Sequence, residues 1–97
     1  MENRQYEALS ILHPHLDEEG ITSAVSKFEE SIKNLGGSIE KTEKQGRKKL
    51  AFTVKKLNDG YFILTYFNLP PNKIVDLRLF CKLSEPMVRH LISKKVG

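Results

Sequence analysis

The stretch GRKKLAFTVKKLNDGYFIL, Gly46 to Leu64, reads as strand, turn and strand, and it carries five basic residues around a short apolar run. From Gly46 on, Leu50, Phe52 and Val54 alternate with Arg47, Lys49, Ala51, Thr53 and Lys55. A pleated strand sends alternate residues to opposite faces, so the expectation is an apolar side packed on a core and a cationic side turned outward. Gly46 interrupts a longer strand pattern running from Ser38 to Lys56 and marks a bulge or bend in it, with a hairpin turn there as the alternative. Asn58-Asp59-Gly60 is the strongest turn signal in the chain, so the next strand is expected to fold back antiparallel. That strand, YFILTYFNL, is apolar on both sides: Tyr61, Ile63 and Phe67 alternate with Phe62, Leu64 and Tyr66. Both of its faces must then be covered, or one awaits a partner.

On the N-terminal side, Ile21, Val25, Phe28, Ile32 and Leu35 recur at helical spacing and draw one apolar stripe. Asp17 is placed to cap this helix, Glu18 and Glu19 suit the positive end of its dipole, and Gly36-Gly37 stops it. Before it, RQYEALSILH (residues 4–13) is a strand that ends at His13-Pro14. On the C-terminal side, Pro70-Pro71 opens a second helix with Ile74, Leu77 and Cys81 as its buried stripe and Val75 and Phe80 beside them. Pro86 breaks it, and MVRHLISKK reads as a last strand. The order β-α-β-β-α-β is that of an α+β, ferredoxin-like fold: a four-stranded antiparallel sheet with both helices on one face and the other face open.

A chain of 97 residues has room for one core, so residues 1–97 are read as a single domain. No apolar run reaches the 18 or so residues of a membrane span, no signal-peptide pattern opens the sequence, and the lone Cys81 suits a reducing compartment. The expected location is cytoplasmic. Chemistry is sparse. His13-Pro14-His15 has two imidazoles but no third ligand, so a loop is the better reading than a metal site. Cys81 faces the core with no nearby base to activate it. No nucleophile motif and no phosphate-cradling glycine loop occurs. The expectation is a protein that is not an enzyme and takes no cofactor and no small-molecule substrate.

Charge says more. Sixteen Lys and Arg against twelve Asp and Glu leave +4 overall. Between Lys41 and Lys56 seven basic residues face one acid, Glu43, a local balance of +6. Residues 17–35 carry five acids against Lys27 and Lys33. Lysines on an edge strand can serve only to block aggregation, but such a row also attracts phosphates whatever the base sequence. Arg4, Arg89, Lys94 and Lys95 lie on the first and last strands, which are neighbours in this fold, so they are expected to gather. Base stacking of the RNA-recognition type is weaker: Asp59-Gly60-Tyr61-Phe62-Ile63 lacks that motif's leading base and second glycine.

With the segments in order, the chain resembles the bacterial small-subunit ribosomal protein six family. Arg4-x-Tyr6-Glu7 is similar to that family's opening R-x-Y-E, and Gly46 to Val54 resembles its run G-R-R-x-L-A-Y-x-I. The Asn58–Phe62 segment, the helix at Pro70 and Met87-Val88-Arg89-x-Leu91 follow in sequence. The resemblance implies binding to ribosomal RNA of the small subunit's central domain, as a pair with ribosomal protein eighteen of that subunit. It nominates Arg4, Arg47, Lys48, Lys49 and Arg89 for contact with RNA or the partner, with Arg4 and Arg89 first, and Lys94 joins the RNA candidates through its charge on the last strand. Tyr6, Tyr61 and Leu91 are the candidates for the protein partner. Gln45 stands where the family commonly has an aromatic, and Lys48 replaces an arginine, which keeps charge but loses the bidentate fork.

Overall fold

Helices and strands in this chain divide its apolar residues between a closed side and an open one. The structure is a computed structural model; it describes the backbone of residues 3–54, 57–85 and 87–94, and the side chains of all of these except 51–54 and 57. The elements are β1 (Arg4–Leu12), α1 (Glu18–Asn34), β2 (Ser38–Val54), β3 (Leu57–Leu69), a 3-10 turn (Pro71–Lys73), α2 (Ile74–Leu83) and β4 (Met87–Lys94). The strands form one antiparallel sheet in the order β2-β3-β1-β4, the ferredoxin-like layout.

Local chemistry sets the helix ends as expected. Asp17 Oδ1 accepts a hydrogen bond from the Gly20 N–H at 2.7 Å, and Glu18 and Glu19 fill the first turn. Leu35 caps the other end, and Gly36 takes φ +90°, where a side chain would be strained. Ile21, Phe28 and Ile32 are buried from α1, and Leu77 and Cys81 from α2. Val75 is not beside that buried stripe: it is 73% exposed.

The helices meet the sheet on the side that carries Tyr6, Ala8 and Leu12 of β1 and Ile63, Phe67 and Leu69 of β3. Phe67 is the centre. Its ring stacks on Tyr6 at 5.7 Å and takes Phe28 edge-on at 6.3 Å. Aromatic pairs of this kind add about 0.5–1.5 kcal/mol beyond their burial. Register carries the same side across the sheet: Tyr6 opposes Phe67, Ala8 opposes Thr65 and Ser10 opposes Ile63. On β4, Ile92 and His90 oppose Ala8 and Ser10.

Two expectations are corrected. The chain does not reverse at Asn58-Asp59-Gly60. These residues lie inside β3, with Asp59 opposite Lys49 and Gly60 opposite Lys48, and pairing continues as far as Val54 opposite Leu57. Gly60 is needed for close approach instead: a Cβ there would stand 2.5 Å from Ile11 Cγ2 and 3.3 Å from the Leu12 carbonyl.

The second correction concerns faces. β2 is one strand through Gly46, which has φ +90°, and the register slips between Lys44 and Gly46 so that Gln45 is the extra residue of a bulge. One extra residue exchanges the two sides of everything beyond it. Thr42 and Lys44, opposite Thr65 and Ile63, point to the helix side, and without the bulge Leu50 would follow them. With it, Arg47 and Lys49, opposite Tyr61 and Asp59, take the helix side, and Lys48 and Leu50 take the bare one. Arg47 and Lys49 nevertheless stay exposed. Phe52 and Val54 side chains, with Lys55, Lys56, Pro86 and Lys95, lie outside the described residues.

Gly60→Ala is expected to cost about 1–3 kcal/mol by overpacking against Ile11. In an Ile11→Ala background the same change should cost clearly less, because the clash is removed. Urea denaturation of the four proteins in that cycle measures it, and additive costs would contradict the close approach.

Candidate nucleic-acid interface

The helix-free face is built from rows that cross the strands. One row runs Leu91 (β4), Leu9 (β1), Leu64 (β3) and Glu43 (β2). The next is Arg89, Ile11, Phe62 and Gly46, and on the other side lies Ser93, Glu7, Tyr66 and Lys41. The middle of this face is therefore aliphatic and aromatic. Leu91 is 48% exposed, Leu9, Phe62, Leu64 and Tyr66 are half-buried, and Ile11 is sealed. Charged residues border it: Arg89 at one edge, Lys41 and Glu43 at the other, ion-paired at 2.8 Å. The hydrogen bond to Glu43 and its charge hold the Lys41 pKa above 10.5.

Beyond Gly46 the β2–β3 ribbon is cationic on both sides. On the bare side the Lys48 ammonium lies 5.8 Å from the Phe62 ring centroid. On the helix side Arg47 donates from Nη2 to the Pro14 carbonyl at 2.5 Å, and its Nε is 4.0 Å from Asp59. Arg47 is thus partly a structural tie between the ribbon and the β1–α1 loop. Lys44, Lys48 and Lys49 are exposed.

The predicted cations do not form one cluster. Arg89 is paired across from Ile11, seven residues along β1 from Arg4, which is roughly 23 Å at strand rise. The two also point to opposite sides. Arg4 instead lies near Lys94, which pairs with Tyr6, and both are exposed. The predicted partner residues separate too. Leu91 is on the bare face, Tyr6 is in the core against Phe67, and Tyr61 is half-buried on the helix side. Beside Leu91 the bare face carries Leu9, Phe62, Leu64 and Tyr66 instead of those two tyrosines. The signal for the last three is present in the alternation of YFILTYFNL, but that pattern is apolar on both phases.

Among the described residues no three His, Cys, Asp or Glu come together, and His13 Nδ1 accepts from the His15 N–H at 3.4 Å. Burial pushes the Cys81 thiol up to about 12, so it is not a nucleophile at neutral pH.

A four-stranded antiparallel sheet, covered by helices on one side and left apolar with a charged border on the other, defines a ferredoxin-like protein with an open sheet face. Residues 5–94 match the family described as "Ribosomal protein S6". The chain is 43% identical over 90 residues to "Small ribosomal subunit protein bS6" of Clostridium kluyveri, covering 93% of this chain and 95% of that one. It is 40% identical over 88 residues to the protein of the same description from Clostridium acetobutylicum, covering 91% and 93%. The crystal structure of 30S ribosomal protein S6 from Thermotoga maritima superposes with a TM-score of 0.90 at 26% identity, over 97% of this chain and 89% of that one. The chain belongs to the ribosomal protein S6 family. It is a protein of the small ribosomal subunit and not an enzyme.

His90 offers a check on the helix side of β4. Burial foremost, and then the like charge of Arg78 on α2, hold its pKa below 6.5. The folded protein takes up this proton less readily than the unfolded chain, so stability from neutral His90 is full above pH 6.5 and fades as pH falls through the lower folded value. An NMR titration should place the His90 midpoint below 6.5, and Arg78→Ala should move it upward. A midpoint at or above 6.5 would contradict the burial of the ring.

Proposed function

We propose that this chain binds ribosomal RNA of the small subunit's central domain as a pair with ribosomal protein eighteen of that subunit. The cations of the β2–β3 ribbon, Arg89 and the Arg4–Lys94 end meet phosphates, while the partner covers the bare sheet face. The observation that carries the reading is the continuity of the two surfaces. The apolar strip around Leu91, Leu64 and Phe62 runs directly into the exposed cations that follow Gly46.

Physical chemistry favours a joint assembly. A few lysines on a small surface neutralise few phosphates, so affinity alone is modest and salt-sensitive. Burying Leu91 and its neighbours adds roughly 25 cal/mol per Å² of apolar surface. A partner that brings its own phosphate-binding groups joins both sets of interactions in one association, which raises affinity with no further change in this chain.

Lys48→Glu with Lys49→Glu should reduce incorporation into reconstituted small subunits while leaving the melting temperature nearly unchanged, since neither side chain is in the core. The log-log salt slope of RNA binding by the pair of proteins should flatten by up to about 0.9 for each phosphate that is no longer neutralised. Leu91→Asp should instead abolish pairing with the protein partner and leave the slope for any residual RNA binding unchanged. Wild-type incorporation of the lysine variant, or a salt response that is flat from the outset, would overturn the phosphate account.

A further inference from the structure

The helix layer carries a second surface with the opposite sign of charge, and it is continuous. Phe80 of α2 lies between two hollows of about 390 and 530 Å³ that separate α2 from α1 and share Phe80 and Lys27 in their walls. Leu16, Ala24 and Leu35 add apolar surface from the α1 side. On the outer crest of α2, Val75, Leu79 and Leu83 are 73%, 54% and 72% exposed. They recur at i, i+4 and i+8, which places three aliphatic side chains in one row about 6 Å apart. Apart from Leu91, these are the large exposed hydrophobics among the described residues. Leu83 also lines the larger hollow, so groove and crest join.

Carboxylates lie on the α1 side of this row, while Arg78 and Lys82 stand exposed beside it on α2 itself. Glu18, Glu19 and Glu30 of α1, Asp76 of α2 and Glu85 after it line the groove and the adjoining surface of α1, and Lys27 is the one cation among the described lining side chains. In a chain of net charge +4, the lining of the groove and the adjoining α1 surface thus sets five carboxylates against one lysine. Such a lining favours a cationic occupant over a phosphate.

We infer that the groove between α1 and α2 docks a cationic, amphipathic helical segment of another protein. The apolar row and Phe80 select an apolar stripe at helical spacing, and the flanking carboxylates select Lys and Arg beside it. A helix fits better than a strand because both walls are helices, whose side-chain ridges accept another helix. A strand would find no sheet edge there to pair its backbone. This surface lies on the opposite layer from the proposed RNA and partner face, and the inference does not depend on that reading.

The test uses isotope-labelled full chain titrated with a synthetic helix of about 18 residues, five turns, with Leu at i, i+3, i+4 and i+7 and Lys elsewhere. A scrambled peptide of the same composition and a version with Glu for Lys serve as controls. Amide shifts should concentrate on α1 and α2 around Ala24, Lys27, Phe80 and Leu83, and both controls should bind at least tenfold more weakly. Glu30→Lys with Asp76→Lys should weaken the Lys peptide at least tenfold, as should Leu79→Ser with Leu83→Ser. All four positions lie outside the buried core, and unchanged thermal melting would establish that the variants fold. Shifts confined to the sheet, equal binding of the scrambled peptide, or unaltered affinity in both double variants would overturn the inference. So would sedimentation showing that a second copy of the chain already occupies the groove.

Discussion

Two helices of seventeen and ten residues can cover only one side of a four-stranded sheet. That limit organises the surface. The covered side holds Phe67, Thr65, Leu69 and the rings of Tyr6 and Phe28, and its burial drives folding. β3 lies inside the sheet and is apolar on both phases, so its second set, Phe62, Leu64 and Tyr66, has nowhere to go but the bare side. Antiparallel pairing then brings Leu9 and Leu91 alongside. Exposed apolar faces this continuous are uncommon on small proteins that bind nothing.

The bulge at Gln45–Gly46 decides how charge is attached to that face. Three consecutive cations make the ribbon cationic in both directions in either register, and the inserted residue decides that Lys48 takes the bare side and Arg47 and Lys49 the other. Arg47 is then close enough to the β1–α1 loop to donate to Pro14, which ties the ribbon to the body of the protein.

Charge is also segregated between layers. Carboxylates crowd α1 and the α1–α2 groove, and a row of cations follows Gly46 on the ribbon, although Lys27, Lys33, Arg78 and Lys82 also lie on the helices. This separation gives the molecule an electrostatic direction. The exposed row Val75, Leu79 and Leu83 lies on the helix layer, away from the ribbon.

What can be read from residues alone is whatever depends on near neighbours in the chain. The α1 stripe from Ile21 to Leu35, the Asp17 cap, the Gly36 stop, the order of the six main elements and the segregation of charge are all local patterns, and each has its counterpart in the structure. The family resemblance rests on such patterns too. Parity and depth are decided elsewhere. Asn58-Asp59-Gly60 looks like a turn because its residues suit one, yet Gly60 is small because Ile11, far back along the chain, comes within 2.5 Å of where its side chain would be. Which side of the sheet Leu50, Lys49 or Tyr61 faces depends on the register across the bulge at Gln45, and register is a property of paired strands. Tyr6 has the makings of a partner residue in sequence, and only the ring of Phe67 stacked on it shows that it is core. Side-chain direction along one strand follows from its neighbours in sequence; which direction is inside follows only from what the strand is packed against.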